Sequence, residues 1–144
     1  MKKLWTIGYR GRTPDEPAQV LFESGVKLVG DVRADPEYST PGFSCIELPD
    51  VLGNVGIAYM ELCSLGITRL QRRRITDEMS RDEVLAWYRT QLDGRQRPSV
   101  LNLAQVADDI ATALLCAERE PQVCHRHILA EVLADISGFE VVHL

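Results

Sequence analysis

The sequence predicts a three-layer α/β fold, with a mainly parallel sheet of about five strands flanked by helices. Short apolar runs alternate with stretches of helical periodicity, which is typical of a parallel sheet. The first strand, helix and second strand fall within roughly thirty residues, as a right-handed parallel crossover requires. Five segments have the length and apolar content of such strands: residues 4–7, 26–32, 56–62, 112–116 and 139–143.

The bulk composition indicates one soluble domain that spans residues 1–144. The chain is 45% hydrophobic and 26% charged, and its net charge of −5 gives no broad attraction to nucleic acid. It opens without an apolar signal-peptide core, and no stretch is long enough to span a bilayer. The four cysteines form no CxxC pair. We therefore expect a reducing cytoplasmic location and no membrane partner, whereas the oligomeric state stays open.

The first helix is predicted to start at Thr13, which would cap it. Pro14 would take the first helical position and Glu16 would complete a capping box. Gly25 is expected to end the helix in a left-handed conformation. Its buried face is predicted to consist of three residues: Val20, Leu21 and Phe22.

Helical signals recur in the middle of the chain. Residues 46–52 could form a short helix if Pro49 lies in its first turn. Ser80 and Glu83 form a second capping box ahead of a longer helix.

The following helix is expected over residues 100–110, after a break bracketed by Gly94 and Pro98. Part of its inner face is predicted to come from three apolar residues: Leu101, Val106 and Ile110.

The segment 114–133 (LLCAEREPQVCHRHILAEVL) passes from an apolar run into an amphipathic helix. Pro121 suits the first helical position, because its missing N–H needs no partner there. Glu120 would then lie at or near the cap, with Cys124, His125 and Arg126 in the first turn or just beyond. Five residues at helical spacing are expected to pack on the sheet: Ile128, Leu129, Val132, Leu133 and Ile136.

Polar residues follow the predicted strands, and parallel strands bring their carboxyl ends to one edge of the sheet. A polar ligand site is therefore expected at this edge. The candidate residues are Tyr9, Arg10, Asp31, Arg33, Glu61, Cys63, Cys116, Glu118, Arg119, Cys124, His125 and Arg126.

Cys124 is the candidate nucleophile or thiolate, because a helix start lowers a thiol pKa. A nucleophile needs a base, yet His125 would point about 100° away from Cys124 on a regular helix. For Cys116, a buried structural role and a functional role are equally supported. Asp31 is the best general acid or base, with Glu118 as the second candidate. An internal ion pair of Asp31 with Arg33 or Arg126 is an equal alternative.

Arginines 10, 33, 119 and 126 could together recognise a phosphate or carboxylate. Such a cluster at one edge predicts a small anionic ligand. The sequence contains no Walker loop, no GxGxxG motif, no HExxH motif and no GxSxG elbow, and it indicates no particular cofactor.

Two other classes of function remain open. Cys116, Cys124 and His125 are metal-ligand types, although their spacing is not a recognised zinc motif, and the two cysteines could instead form a redox disulfide. The segment 69–74 is rich in arginine and could contact nucleic acid, although a solvated surface is the simpler interpretation. Its basic residues are Arg69, Arg72, Arg73 and Arg74.

The sequence resembles the DUF488 family of small bacterial and archaeal proteins of unknown function. The similarity runs through TIGYRGRTPDE, GVKLVGDVRADP, STPGFS, GIAYMELCSLG and LLCAEREPQVCHRHILAEVL. The last segment fits the family's C-x-E…P-x-x-C-H-R pattern. Two departures are Ile67, which stands where a second glycine is usual, and the following segment TRLQRRR.

The resemblance implies an α/β domain with a polar pocket at one sheet edge, but it supplies no reaction. We therefore expect an enzyme or binding protein for a small phosphate- or nucleotide-like anion. The positions that match the family are Asp31, Arg33, Ser39, Pro41, Phe43 and the set from 116 to 126. The complete set of expected site residues is, for catalysis, Asp31, Glu118, Cys124 and His125, and for ligand binding, Tyr9, Arg10, Arg33, Ser39, Phe43, Cys116 and Arg126.

Overall fold

The computed structural model describes residues 2–38, 40–68, 70–71, 73 and 80–144. This part of the chain forms one parallel five-stranded sheet with the strand order β3-β2-β4-β1-β5. The strands are β1 (Lys3–Gly8), β2 (Leu28–Asp31), β3 (Ala58–Glu61), β4 (Thr112–Cys116) and β5 (Glu140–His143). The helices are α1 (Asp15–Ser24), α2 (Leu48–Gly53), α3 (Arg81–Asp93), α4 (Arg97–Asp109) and α5 (His125–Ser137).

The three-layer α/β architecture that the sequence predicts is confirmed. On one face of the sheet, α1 and α2 pack over a cluster that includes Leu21, Leu52 and Leu115. On the other face, the apolar sides of α3, α4 and α5 cover a second cluster, which includes Leu114 and Leu129. Alternate residues of β4 enter the two clusters, as expected of a central strand that is buried on both faces.

The predicted bounds of the strands were close, but the second and third strands are shorter than expected. The second covers Leu28–Asp31 rather than residues 26–32, and the third covers Ala58–Glu61 rather than residues 56–62. Gly56 adopts a positive φ of 77° just before β3, so the chain turns there instead of extending. The short helix α2 is confirmed, with Pro49 in its first turn.

The first helix differs from the prediction at its start and on its buried face. It begins at Asp15, and the N-cap position is taken by Pro14 rather than Thr13, with no side-chain cap hydrogen bond. The buried residues are Pro17, Ala18 and Leu21, whereas Phe22 is 52% exposed. The reason is geometric, because neighbours on a helix point about 100° apart and a run of three apolar residues cannot share one face. Gly25 ends the helix in the left-handed region, as predicted.

The later helices confirm the capping signal and correct one apolar face. Ser80 accepts a hydrogen bond from the Glu83 N–H at the start of α3. Helix α4 begins earlier than predicted, at Arg97, so Pro98 lies in its first turn rather than in the break. Leu101 and Ile110, predicted to face inward, are 47% and 44% exposed, and Val106 is half-buried. The inner face instead uses residues at i, i+3, i+4 and i+7: Val100, Leu103, Ala104 and Ala107.

The connection from β4 to α5 differs from the prediction in a way that moves the site residues. Pro121 starts a short 3₁₀ turn, Pro121–Val123, instead of the α-helix. Cys124 is therefore the N-cap residue of α5, and His125 is its first residue. None of the helices in the described ranges combines the length and apolar character needed to cross a membrane.

Candidate functional site

The carboxyl ends of β1, β2 and β4 lie side by side. Gly8 is in register with Cys116, and Asp31 with Leu115. The pairing continues past the strands, because the Arg10 N–H donates to the carbonyl of Ala117 at 2.9 Å. A side chain from Gly8 has no room here, since a Cβ would overlap the Glu118 carbonyl. Residues near 31–33 and 116–126 are thus neighbours.

Asp31 is fully buried and receives several hydrogen bonds. The backbone N–H of Arg33 donates to it at 3.1 Å, Nε of the same residue at 2.8 Å and the second guanidinium nitrogen at 2.6 Å. The hydroxyl of Tyr59, on β3, donates at 2.5 Å. Of the two alternatives for Asp31, the structure thus contains the ion pair with Arg33. Tyr59, which sequence reasoning missed, belongs to the same group.

The aromatic residues expected at the site surround this ion pair. Tyr9 stacks on Phe43 with ring centroids 4.4 Å apart, and the Arg33 guanidinium lies 5.2 Å above the Tyr9 ring. Burial alone would lower the pKa of Arg33, but the hydrogen bond and charge of Asp31 outweigh it and raise that pKa. Burial, and then Asp31, raise the pKa of Tyr59. These groups form a structural support whose charges are already paired.

Cys116, Cys124 and His125, from the C-x-E…C-H-R segment, meet next to the backbone that follows β2. Sγ of Cys116 and Sγ of Cys124 both lie 3.9 Å from Nδ1 of His125. Nε2 of His125 is 3.0 Å from the carbonyl oxygen of Val32. The expectation that His125 points away from Cys124 was wrong, because Cys124 is an extended cap residue rather than part of the helix. All three side chains are buried, so the thiols do not open directly to solvent.

The environment of Cys124 favours its thiolate. The hydrogen bond with Cys116 lowers the pKa of the Cys124 thiol, and burial, which alone would raise it, is outweighed. His125 lowers this pKa further through a hydrogen bond and its charge, and so does the first-turn N–H of Arg126. The direction of this shift is the one that the helix start predicted for Cys124.

Arg126 is completely buried, which is rare for a charged residue. Its guanidinium donates to the carbonyl of Glu118 and, at 3.2 Å, to the carbonyl of Arg119. It therefore holds the loop after β4 in place. The Glu118 carboxylate is engaged separately, in an ion pair of 2.9 Å with Arg10.

Arg12 and Arg119 also lie at this edge, and the sequence analysis missed Arg12. Arg12 lies in the loop after β1 and is half-buried. Burial lowers its pKa most, the charges of Arg119 and Arg126 lower it further, and the charge of Glu16 opposes this shift. In the described part of the chain, Nε of Arg12 and Nε of Arg126 are buried without a hydrogen-bond partner. Gly8 and Gly11 are the sequence feature that could have indicated a tight loop here, and Gly11 does adopt a positive φ of 80°.

Four of the predicted residues lie outside the described part of the chain: Ser39 of the ligand-binding set, and Arg69, Arg72 and Arg74 of the basic segment. One surface cavity of about 460 Å³ lies elsewhere, between α4 and α5, with Leu101 and Ile136 in its lining. That cavity holds none of the thiols, histidines or arginines discussed above.

The fold and the site together define an α/β protein with a buried Cys–Cys–His cluster beside an arginine cluster at the carboxyl edge of a parallel sheet. The family model described as "Domain of unknown function DUF488" matches residues 14–133, and the chain belongs to this family. The resemblance noted from the sequence is thus confirmed. Comparisons with curated proteins and with solved structures gave no match.

Proposed function

We propose that the protein binds a small anionic ligand, phosphate- or nucleotide-like, at the carboxyl edge of its sheet. The site would lie where the loop after β1 meets the loop after β4. The single observation that supports this proposal is a cluster of positive charge without matching counter-charge. Arg12, Arg119 and Arg126 lie close enough for the charges of the other two to lower the pKa of Arg12.

The local charge balance favours an anion. Four arginines meet at this edge, namely 10, 12, 119 and 126, whereas the carboxylates that face them are Glu118 and Glu16. Glu118 is already paired with Arg10. An anion between the loops would relieve the repulsion among the remaining guanidiniums, and guanidinium groups bind phosphate oxygens in a planar, often bidentate geometry.

The unpaired donors point to the same conclusion. A buried N–H without a partner costs about 1–3 kcal/mol, so a site with two of them is unfavourable unless something else accepts those bonds. Arg126 already uses its other nitrogens to hold carbonyls, and we assign it the positioning of the loop. Nε of Arg12 has no hydrogen-bond partner within the described residues, and the charge of Arg119 acts on the same guanidinium, so we assign these two side chains to the ligand.

Catalysis at this site stays a prediction. The paired state of Asp31 argues against proton transfer by that carboxylate. The other catalytic candidates include Cys124 and His125, whose Sγ and Nδ1 atoms lie 3.9 Å apart. The nucleic-acid alternative depends on a segment of which Arg73 is the one arginine among the described residues.

Substitution of Arg12 tests the proposal. We expect Arg12→Gln to weaken the binding of phosphate, pyrophosphate or a nucleoside monophosphate by about 10- to 100-fold, because a hydrogen bond to a charged group is worth about 1.5–3 kcal/mol. Isothermal titration calorimetry at low ionic strength measures this. Arg89→Gln is the matched control, since Arg89 is exposed on α3 and pairs with Glu131. If the wild type binds none of these anions, or both variants bind equally well, the proposal is wrong.

A further inference from the structure

Three potential metal ligands converge in the protein interior. Sγ of Cys116, Sγ of Cys124 and a ring nitrogen of His125 all lie within 4.8 Å of one another. Each comes from a well-defined position, since Cys116 ends β4, Cys124 caps α5 and His125 begins it. A tetrahedral zinc ion with bonds of about 2.0–2.3 Å separates its sulfur and nitrogen ligands by about 3.5–3.8 Å. The observed Sγ–Nδ1 distances of 3.9 Å therefore need a contraction of a few tenths of an ångström.

The imidazole of His125 is oriented as a metal ligand. The carbonyl oxygen of Val32 can only accept, so Nε2 at 3.0 Å carries the proton and donates it. Nδ1 is then the ring nitrogen left to bind a metal, with Sγ of Cys124 at 3.9 Å, whereas Sγ of Cys116 lies 3.9 Å from Nδ1 and 4.0 Å from Nε2. Histidines that bind metals almost always donate their other ring N–H to a carbonyl or carboxylate in this manner. The ring of Tyr88 packs edge-on against the imidazole at 5.1 Å and holds its plane.

Charge balance favours a divalent ion in this cluster. Cys116, Cys124 and His125 are each at most 3% exposed, and an isolated buried thiolate pays a large desolvation cost. One divalent ion, two thiolates and a neutral imidazole sum to zero charge. Binding would release two protons in total, so the net charge of the site is zero before and after the metal enters.

The arrangement distinguishes a metal site from the other uses of the same residues. A redox disulfide joins two sulfurs and has no need of an imidazole. A nucleophile with its base needs one sulfur. Here Nδ1 is equally distant from both sulfurs, and this favours a common centre between all three atoms.

We propose that Cys116, Cys124 and His125 bind one thiophilic divalent ion of the zinc class through their two Sγ atoms and Nδ1. The Val32 carbonyl acts as the positioning group for the imidazole. Three protein ligands leave the fourth position of a tetrahedral ion to a further ligand. This proposal does not depend on an anion binding at the neighbouring arginine cluster.

Cobalt titration of the metal-free, reduced protein tests this proposal directly. We expect one Co²⁺ per chain, with a thiolate-to-cobalt charge-transfer band and the intense visible bands of tetrahedral coordination. Added Zn²⁺ should abolish these bands and raise the thermal unfolding temperature. A wild-type protein that takes up no Co²⁺, or that shows octahedral bands without charge transfer, overturns the proposal.

Cysteine variants locate the metal. Cys116→Ser and Cys124→Ser should each weaken Co²⁺ binding by at least about 100-fold, since each removes a thiolate ligand. Cys45→Ser and Cys63→Ser are the controls, because these half-buried thiols face Glu61 instead, and their binding should equal that of the wild type. If the bands disappear in the control variants and persist in the first pair, the proposed ligands are wrong. The wild-type spectrum decides the matter even if a serine variant fails to fold.

Discussion

Asp31→Ala is expected to lower the free energy of unfolding by about 3–5 kcal/mol, because removing one partner of a buried ion pair leaves the other charge uncompensated. The guanidinium of Arg33 is 6% exposed and forms two hydrogen bonds with this carboxylate. Tyr59 would lose its acceptor at the same time. Urea denaturation followed by circular dichroism measures the change.

Two further variants separate the charge effect from the loss of hydrogen bonds. Tyr59→Phe removes one donor to Asp31 and should cost about 1 kcal/mol. Adding Arg33→Met to Asp31→Ala should restore part of the stability, because a buried ion pair can often be replaced by apolar groups of similar volume. An Asp31→Ala protein as stable as the wild type would show that Arg33 finds other compensation.

Gly8→Ala is the second substitution with a large expected effect. A Cβ at Gly8 would overlap the carbonyl of Glu118 and lie 2.8 Å from Cα of Arg119. The conflict is with backbone, so the loop after β4 must move away from β1. We expect a loss of about 3 kcal/mol in unfolding free energy, the upper part of the range for overpacking. Anion binding should weaken as well, because the same loop carries the two carbonyls that Arg126 holds.

Gly53→Ala is the matched control for this substitution. Gly53 is the last residue of α2, and a Cβ there meets nothing within 4 Å. Alanine is also the better helix former by about 0.8–1 kcal/mol within a helix, so no destabilisation is expected. Equal unfolding free energies and equal phosphate affinities for Gly8→Ala and Gly53→Ala would contradict the close packing of the two loops.

Much of the fold could be predicted from the sequence because its signals are local. The alternation of apolar runs and helical periodicity placed β1, β4 and α3 within a few residues. The inner face of α4 was missed because Leu101 and Ile110 are larger than the alanines that face inward. Only packing shows which set of apolar residues meets the sheet.

Part of the candidate site could also be predicted, from the order of the strands rather than from local signals. Parallel strands bring their carboxyl ends together, so the proximity of Asp31, Cys116 and His125 followed from the strand pattern. The burial of Arg126 and the approach of Arg12 depend on side-chain contacts between distant segments. Sequence spacing carries no information about them.

Crystallography with an anomalously scattering anion tests the central claim, the anion site between the loops after β1 and β4, most directly. We expect tungstate to give an anomalous peak within hydrogen-bond distance of the Arg12 guanidinium, next to Arg119. A peak confined to another surface, such as the cavity between α4 and α5, or no ordered tungstate beside Arg12, would contradict the proposed site.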